Sequence, residues 1–549
     1  MKRWLLCAAL SAALPMALAQ SVATLPDMGS SAGELLTPAQ ERAYGGMMLR
    51  QLRGYGLVLD DPLLEGYLQS LGYRLASRSD RPSQPFTFFL MRSRQINAFA
   101  TIGGYIGVNA GLILTAERED ELAAVLAHEI SHVTQRHILR AVEQARRDQL
   151  PIMLGMLGAI LAASQTSSGD GVQAAIVGGM SLMQQRQINY TRANEQEADR
   201  VGIQTLARSG YEPIAMADFF ARMERQMRGN TGGAQAPEYL RSHPVTTTRI
   251  SEAKARAKQI ETSPTCRADN TTGDFSQDET NPSCRPLPGR YQLRNPLLPD
   301  YVADAINEEI DSHALFALAR ERLRVLSATS PKDAVHEYQR MQQAKPTTFT
   351  TAQRYGMALA RSLAGQTEQA GRELAELETQ FPDLYWISLA RAENDHRAGH
   401  RTLAQERYEA LLQARPQNTA VALSYATSLA EVGSPKAART AQELLRPVLA
   451  QNPYDPALQR SYARASEMAG DTIRAAEAYA EVAWLNGRAD DALSQLERLR
   501  KDPDLDFYQR SRIDARIAAI TPDALELRRQ NSGSASTRLG LVTTWSDSP

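Results

Sequence analysis

Thirteen residues, Val125 to His137 (VLAHEISHVTQRH), constrain this chain more than any other stretch. They contain His128-Glu129-Ile130-Ser131-His132, an HExxH motif, behind the lead-in Leu122–Ala127, whose Ala and Leu favour helix. Positions four apart on a helix differ by about 40° in azimuth, so His128 and His132 present two imidazoles on one side. That supplies two nitrogen ligands for a zinc ion. Glu129, about 100° round from His128, is placed to take a proton from water as it attacks a peptide carbonyl. An ordinary amphipathic helix is the competing reading, and the rest of the chain has to decide.

His137 invites assignment as the third ligand, but nine residues carry it about 180° round a continuous helix from His128, facing away. A metzincin would need Gly three residues after His132 and His three later, where this chain has Gln135 and Ile138. The better candidate lies downstream, in Asn194-Glu195-Gln196-Glu197-Ala198-Asp199. Glu195 and Asp199 share a helical face. Glu195 can donate a carboxylate oxygen as third ligand, and Asp199 can accept the free N–H of a ligating histidine. Glu197 points elsewhere and is expected in solvent. Two helices, HExxH and ExxxD, then build a His2Glu zinc site with its fourth position open.

Upstream, residues 37–77 have helical spacing (Leu63, Tyr67, Leu68, Leu71), and Phe86–Leu90 reads as a strand. Gly103-Gly104 suits a tight turn between Asn97–Thr101 and Tyr105–Asn109, a hairpin whose edge either binds an extended substrate or only packs on the motif helix. The acids Glu117 and Glu119–Glu121 precede and open that helix, where its dipole favours them. Between Pro151 and Gln187 two apolar runs flank a Ser/Gly linker, neither long enough to span a bilayer. A buried helical hairpin is the plain expectation there. A mobile cover over the site, or a surface touching membrane or unfolded client, is the alternative.

Lys2-Arg3, the apolar Trp4–Leu14 and Ala17-Leu18-Ala19 form a cleavable export signal over residues 1–19, followed by an irregular arm to about residue 36. Export makes a disulfide between Cys266 and Cys284 the simplest use of that pair, in a linker over 259–302. A net charge of −1 shows no electrostatic footprint for nucleic acid. Few aromatics and abundant Ala, Leu and Gln lean towards a largely helical protein, and with the strand signals upstream the expected class is α+β, mostly helical.

Beyond residue 303 a repeat appears. Gly365, Gly399, Gly433 and Gly470 march in step with Pro346, Pro382, Pro416 and Pro453, about 34 residues apart. This is the pattern of a tetratricopeptide-like α-solenoid over 303–529, with degenerate ends and a polar tail over 530–549. Tyr355, Tyr385, Trp386, Tyr408 and Tyr425 belong either to its core or to a binding groove.

Taken together, HEISHVTQRH, NEQEAD, NAFATIGGYIGVNAGLI and Ser242-His243-Pro244 with Arg249-Ile250 resemble the HtpX/CAAX-prenyl-protease-like zinc peptidases. The likeness spans the mature chain and is tightest over 86–255. It implies a peptidase domain over 37–258, one zinc ion held by His128, His132 and Glu195, and Glu129 as catalytic base. His243, in the HP…R segment after the Gly/Ala-rich loop 229–236, is either an oxyanion donor, a fourth metal ligand holding a resting state, or a structural turn residue. The resemblance also implies a periplasmic protein, with peripheral contact to the outer membrane as a further expectation. Its clients would be misfolded or assembling outer-membrane proteins, its partner their β-barrel assembly machinery. A chaperone or scaffold with a silenced zinc site is the rival reading. A protease for lipid-modified substrates fits the export signal and repeats less well.

Overall fold

The computed structural model describes residues 36–145, 191–229, 239–240, 243–262, 312–344 and 349–533. The expected export signal, most of the arm, the apolar stretch 151–187, the loop 230–236, both cysteines and the tail from 534 lie outside the described residues.

The helical pattern of 37–77 is two helices. The first, α1 (Pro38–Gly54), starts with a reciprocal capping box between Thr37 and Gln40. The second, α2 (Pro62–Ala76), is capped by Asp61, which accepts a hydrogen bond from the Leu64 N–H at 3.1 Å. Three strands follow, β1 (Thr87–Met91), β2 (Ala98–Ala100) and β3 (Tyr105–Asn109), in the order β1-β3-β2. The expected hairpin forms, with Phe99 opposite Gly107, and its turn passes through Gly103 at φ 82° and Gly104 at φ 84°. A Cβ on Gly103 would collide with the Glu41 carbonyl, so glycine lets the turn pack on α1. The parallel pairing of β1 with β3 is an addition that local pattern does not reveal.

One consequence of the register bears on function. Asn97 accepts from the Asn109 N–H at 2.9 Å and the Thr101 N–H donates to Tyr105 at 2.8 Å. Both residues therefore face β3, and the alternate residues Ala98 and Ala100 turn their peptide groups to the opposite edge. No strand of the described residues covers that edge.

After α3 (Ala110–Thr115) comes the motif helix α4 (Glu119–Thr134), packed among α2, β2 and α7 (Ile214–Gly229). Its opening acids do more than favour the dipole. Glu119 accepts from Tyr67 and Tyr211, Asp120 from the Glu212 N–H, and Glu121 pairs with Arg222 at 2.6 Å, all three buried. Helix α5 (137–145) follows, then α6 (191–208) and, after α7, α8 (Thr247–Thr262). Gly202 marks where α6 meets α4: a Cβ there would lie 3.2 Å from the backbone of Ala127 and His128.

Residues 312–533 form helix pairs: α9 (Ser312–Leu326) and α10 (Pro331–Ala344), α11 (Thr351–Leu363) and α12 (Thr367–Gln380), α13 (Tyr385–Arg397) and α14 (Arg401–Ala414), α15 (Thr419–Glu431) and α16 (Pro435–Gln451), α17 (Pro456–Ala469) and α18 (Thr472–Leu485). They end in α19 (Ala489–Leu499) and the long α20 (Phe507–Gly533). The spaced glycines turn the chain within each pair at φ 75–85°, and Pro382, Pro416 and Pro453 sit between pairs. Tyr355, Trp386, Tyr408 and Tyr425 are core residues of the repeat, and Tyr385 is half-buried.

The solenoid grips the first part of the chain at both ends. Near its start, buried Arg322 forks onto Asp61 at 2.7 and 2.9 Å, and Arg94 donates to Arg324 O, Ser327 and Glu337. Near its end, Arg50 pairs with Asp523 at 2.7 Å and lies on the Trp484 ring, while a Cβ on Gly487 would come within 2.9 Å of Arg50 O.

Candidate metal centre

Helix α4 brings His128 and His132 together as its spacing requires, with their Nε2 atoms 3.0 Å apart. Across from them α6 presents Glu195, whose oxygens lie 3.4 Å from each of those nitrogens. A fourth group joins: His243 Nδ1 is 3.0 Å from Glu195 Oε1 and 3.4 Å from His128 Nε2. One donor atom from each of the four residues fits within a sphere of mutual separations below 4.8 Å.

The donor set fits a divalent metal. A tetrahedral ion with bonds of about 2.0–2.1 Å has ligand edges of about 3.4 Å, and the separations quoted above run from 3.0 to 3.4 Å. Three imidazoles with one carboxylate match the preference of zinc. The Nδ1 atoms of both motif histidines are directed outward. His128 Nδ1 sits 3.0 Å from Asp199 Oδ1, and His132 Nδ1 sits 2.9 Å from His137 Nδ1. This leaves both Nε2 atoms facing inward.

Two supporting chains follow from this. In the first, Asp199 is clasped by Arg249 at 2.6 and 2.7 Å, and Arg249 also reaches Glu195 at 3.0 Å and the Pro244 carbonyl at 2.9 Å. Arg249 is buried and lies 4.7 Å over the Phe220 ring. In the second chain His137 Nε2 is 3.2 Å from Glu197, which pairs with Arg140 at 3.0 Å. This corrects two expectations. Helix α4 stops at Thr134, and Arg136 takes the left-handed conformation, φ 55°, which costs a non-glycine residue about 1–2 kcal/mol. The chain then doubles back, so His137 touches His132 rather than facing away, and Glu197 is tied to His137 and Arg140 rather than left in water. Arg136 is held in place by Glu41 at 2.7 Å.

Electrostatics follow the contacts. Burial opposes charge on His128, but Asp199 and Glu195 outweigh it and lift the imidazole to about 10. Burial would raise Glu195 and Asp199, yet the histidines around Glu195, and Arg249 and His128 beside Asp199, hold both below the usual carboxylate range. Burial and neighbouring His132 push His137 down to about 4. Glu129 stands apart. It is buried, neither oxygen has a hydrogen-bond partner among the described residues, and the nearest His243 nitrogen is 3.6 Å from Oε1. The ring of Tyr239 stacks on His243 at 4.9 Å, and the Tyr239 backbone N–H donates to Ile96 O beside the unpaired β2 edge.

An HExxH helix, a glutamate from a second helix and a buried carboxylate beside them define a metallopeptidase of the HExxH class. Comparison with known proteins gives the family. Residues 62–257 match the model of peptidase family M48. Over 504 residues the chain is 32% identical to the beta-barrel assembly-enhancing protease of Escherichia coli K12, covering 91% of this chain and 92% of that one. The putative beta-barrel assembly-enhancing protease of Vibrio cholerae is 43% identical over 47% of this chain and 52% of its own. A more distant likeness, 29% over 28% of this chain and 41% of the relative, is to the mitochondrial metalloendopeptidase OMA1 of Saccharomyces cerevisiae. The chain belongs to peptidase family M48. Among the described residues no helix is long and apolar enough to cross a membrane.

Proposed function

We propose that this protein is an exported zinc endopeptidase that acts on outer-membrane β-barrel proteins, with its solenoid binding client or assembly machinery. The substrate class and the periplasmic location rest on the names of its full-length bacterial relatives and on the export signal. The observation that carries the chemistry is the buried Glu129 carboxylate, without a hydrogen-bond partner among the described residues, beside a four-donor cluster.

His128, His132 and Glu195 would hold the zinc, with Asp199 and His137 fixing the two imidazoles. When bound, the ion supplies Lewis acidity, polarising a carbonyl and making water a stronger acid. Glu129 receives the proton of the attacking water on a carboxylate oxygen and delivers it to the leaving amine nitrogen. The half-exposed peptide group of Ala100, on the unpaired edge of β2, orients an extended client by strand addition. Two observations suit His243 to the fourth ligand position rather than the oxyanion role in this conformation. Its Nδ1 faces Glu195 and its Nε2 faces Glu129. The same observation favours a second reading, a chaperone or scaffold whose site is held shut.

The test is degradation of an unfolded client by wild type, Glu129→Gln and His243→Ala, with zinc measured on the same samples. One zinc per chain, no cleavage by Glu129→Gln and faster cleavage by His243→Ala are the expected results. A zinc-loaded but inactive His243→Ala would make that residue catalytic. Inactivity of all three with zinc bound would favour the chaperone.

A further inference from the structure

Past Thr101 the unpaired edge of β2, fully buried at Ala98 and half-exposed at Ala100, runs into a cavity of about 440 Å³ that has His132 in its wall. The cavity is bounded by α1, the segment 80–85, the Ile102-Gly103 turn and the residues that follow the motif. Ile102, Val133, Ile138 and Leu139 make the lining partly apolar, Val133 from the last turn of α4 and Ile138 and Leu139 from the chain that doubles back after it. On the rim, charges cancel in pairs: Glu41 with Arg136 at 2.7 Å and Asp80 with Arg208 at 2.9 Å. Arg42 is different. It is exposed at the rim, and among the described residues no carboxylate forms an ion pair with it.

We propose that this cavity is a specificity subsite, taking an apolar side chain of the client whose neighbouring acidic residue pairs with Arg42. The proposal rests on the peptidase reading above. A client strand docked at Ala100, the half-exposed end of the edge, advances about 3.4 Å per residue, so within one or two residues it leaves the edge and stands over the cavity mouth. The volume lies in the range of ligand pockets, about 300–1,000 Å³, ample for a leucine or phenylalanine side chain. The opposite end of the edge is already engaged by the Tyr239 N–H at Ile96, so the cavity lies at the end of β2 that a client can overrun.

The experiment is a positional-scanning library of fluorogenic peptides, cleaved by the mature full chain and by Ile138→Trp and Arg42→Glu. Metal content and melting temperature are checked for each variant. At one peptide position wild type should favour Leu or Phe over Ala by about tenfold or more, the scale of one well-placed apolar group. Ile138→Trp should erase that preference, and Arg42→Glu should turn the neighbouring preference from acid to Lys, with other positions unchanged. Cleavage with the same profile in all three proteins would overturn the subsite while leaving the peptidase intact. If wild type does not cleave, the same peptides are titrated against Glu129→Gln by fluorescence anisotropy. Selective binding lost in the two cavity substitutions would then uphold the subsite and sink the peptidase reading. A basic neighbour preferred by wild type, or no binding at all, would overturn the subsite.

Discussion

Replacing Arg249 with methionine keeps an unbranched, apolar stem, ends it short of the guanidinium, and removes the charge and all the donors. Asp199 loses two bonds of 2.6 and 2.7 Å, Glu195 a cation at 3.0 Å and the Pro244 carbonyl its donor. Breaking a buried ion pair from one side costs about 3–5 kcal/mol, because the abandoned charge stays buried. For a unit of about 200 residues each kcal/mol moves the melting temperature by about 2–4 °C, so the metal-free variant should melt roughly 6–20 °C below wild type. Zinc compensates Glu195, leaving Asp199 as the main uncompensated charge, so the loaded variant should lose only about half as much. Arg249→Lys keeps the charge without the fork and should fall between. Calorimetry on chelated and zinc-loaded samples measures all of this. The pH dependence carries the same signature. Both carboxyls are depressed in the fold, so their stabilisation is complete above their ordinary values of about 4 and disappears as pH falls through the lower folded values. Without Arg249 acid unfolding of the metal-free protein should begin at higher pH. A chelated Arg249→Met protein melting within about 2 °C of wild type would refute the argument, since that is less than the shift expected from 1 kcal/mol.

Other consequences are as direct. His137→Ala should weaken zinc binding about 10–100-fold in competition with a chelator, with helix content unchanged, because His132 loses its orienting partner. Burial and the charges of Asp455 and Asp60 raise the Glu65 carboxyl, so its protonated form stabilises the fold below its ordinary value of about 4 and that contribution is lost as pH rises through the raised one. Glu65→Gln should therefore raise the melting temperature at pH 7.5 and give no gain at pH 4. Asp61→Ala strands Arg322 in the interior and uncaps α2, a combined loss of about 4–6 kcal/mol. It should appear as a separate, lower calorimetric transition or as faster trypsin nicking between the solenoid and the rest.

What the sequence reveals and what it hides divides along physical lines. His128, His132, Glu195 and Asp199 are legible because each pair is set by helical spacing alone, and no long-range knowledge is needed to know that residues four apart share a face. The repeat is legible because glycine and proline mark every turn. His137 is misread from the sequence because its position depends on one residue, Arg136, adopting φ 55°, a conformation that arginine does not announce. Its partner Glu197 is lost with it. Arg249 stands in the HP…R segment, but its clasp on Asp199 crosses 50 residues and has no periodicity to betray it. The parallel pairing of β1 and β3 is hidden for the same reason: nothing local in Thr87–Met91 names its neighbour.

The glycine at 487 has a mechanical consequence. There the turn between α18 and α19 meets the end of α1 backbone to backbone, and on the facing side a Cβ on Gly54 would come within 2.7 Å of Asn486 O. Together with the Asp61–Arg322 anchor, this makes the solenoid a spring clamped at both ends to one body. A spring held at one end flexes freely; a doubly clamped one changes curvature only by pulling on an anchor. A load that flattens or tightens the repeats is therefore felt at Asp61, at the root of α2, or at Gly54, at the tip of α1.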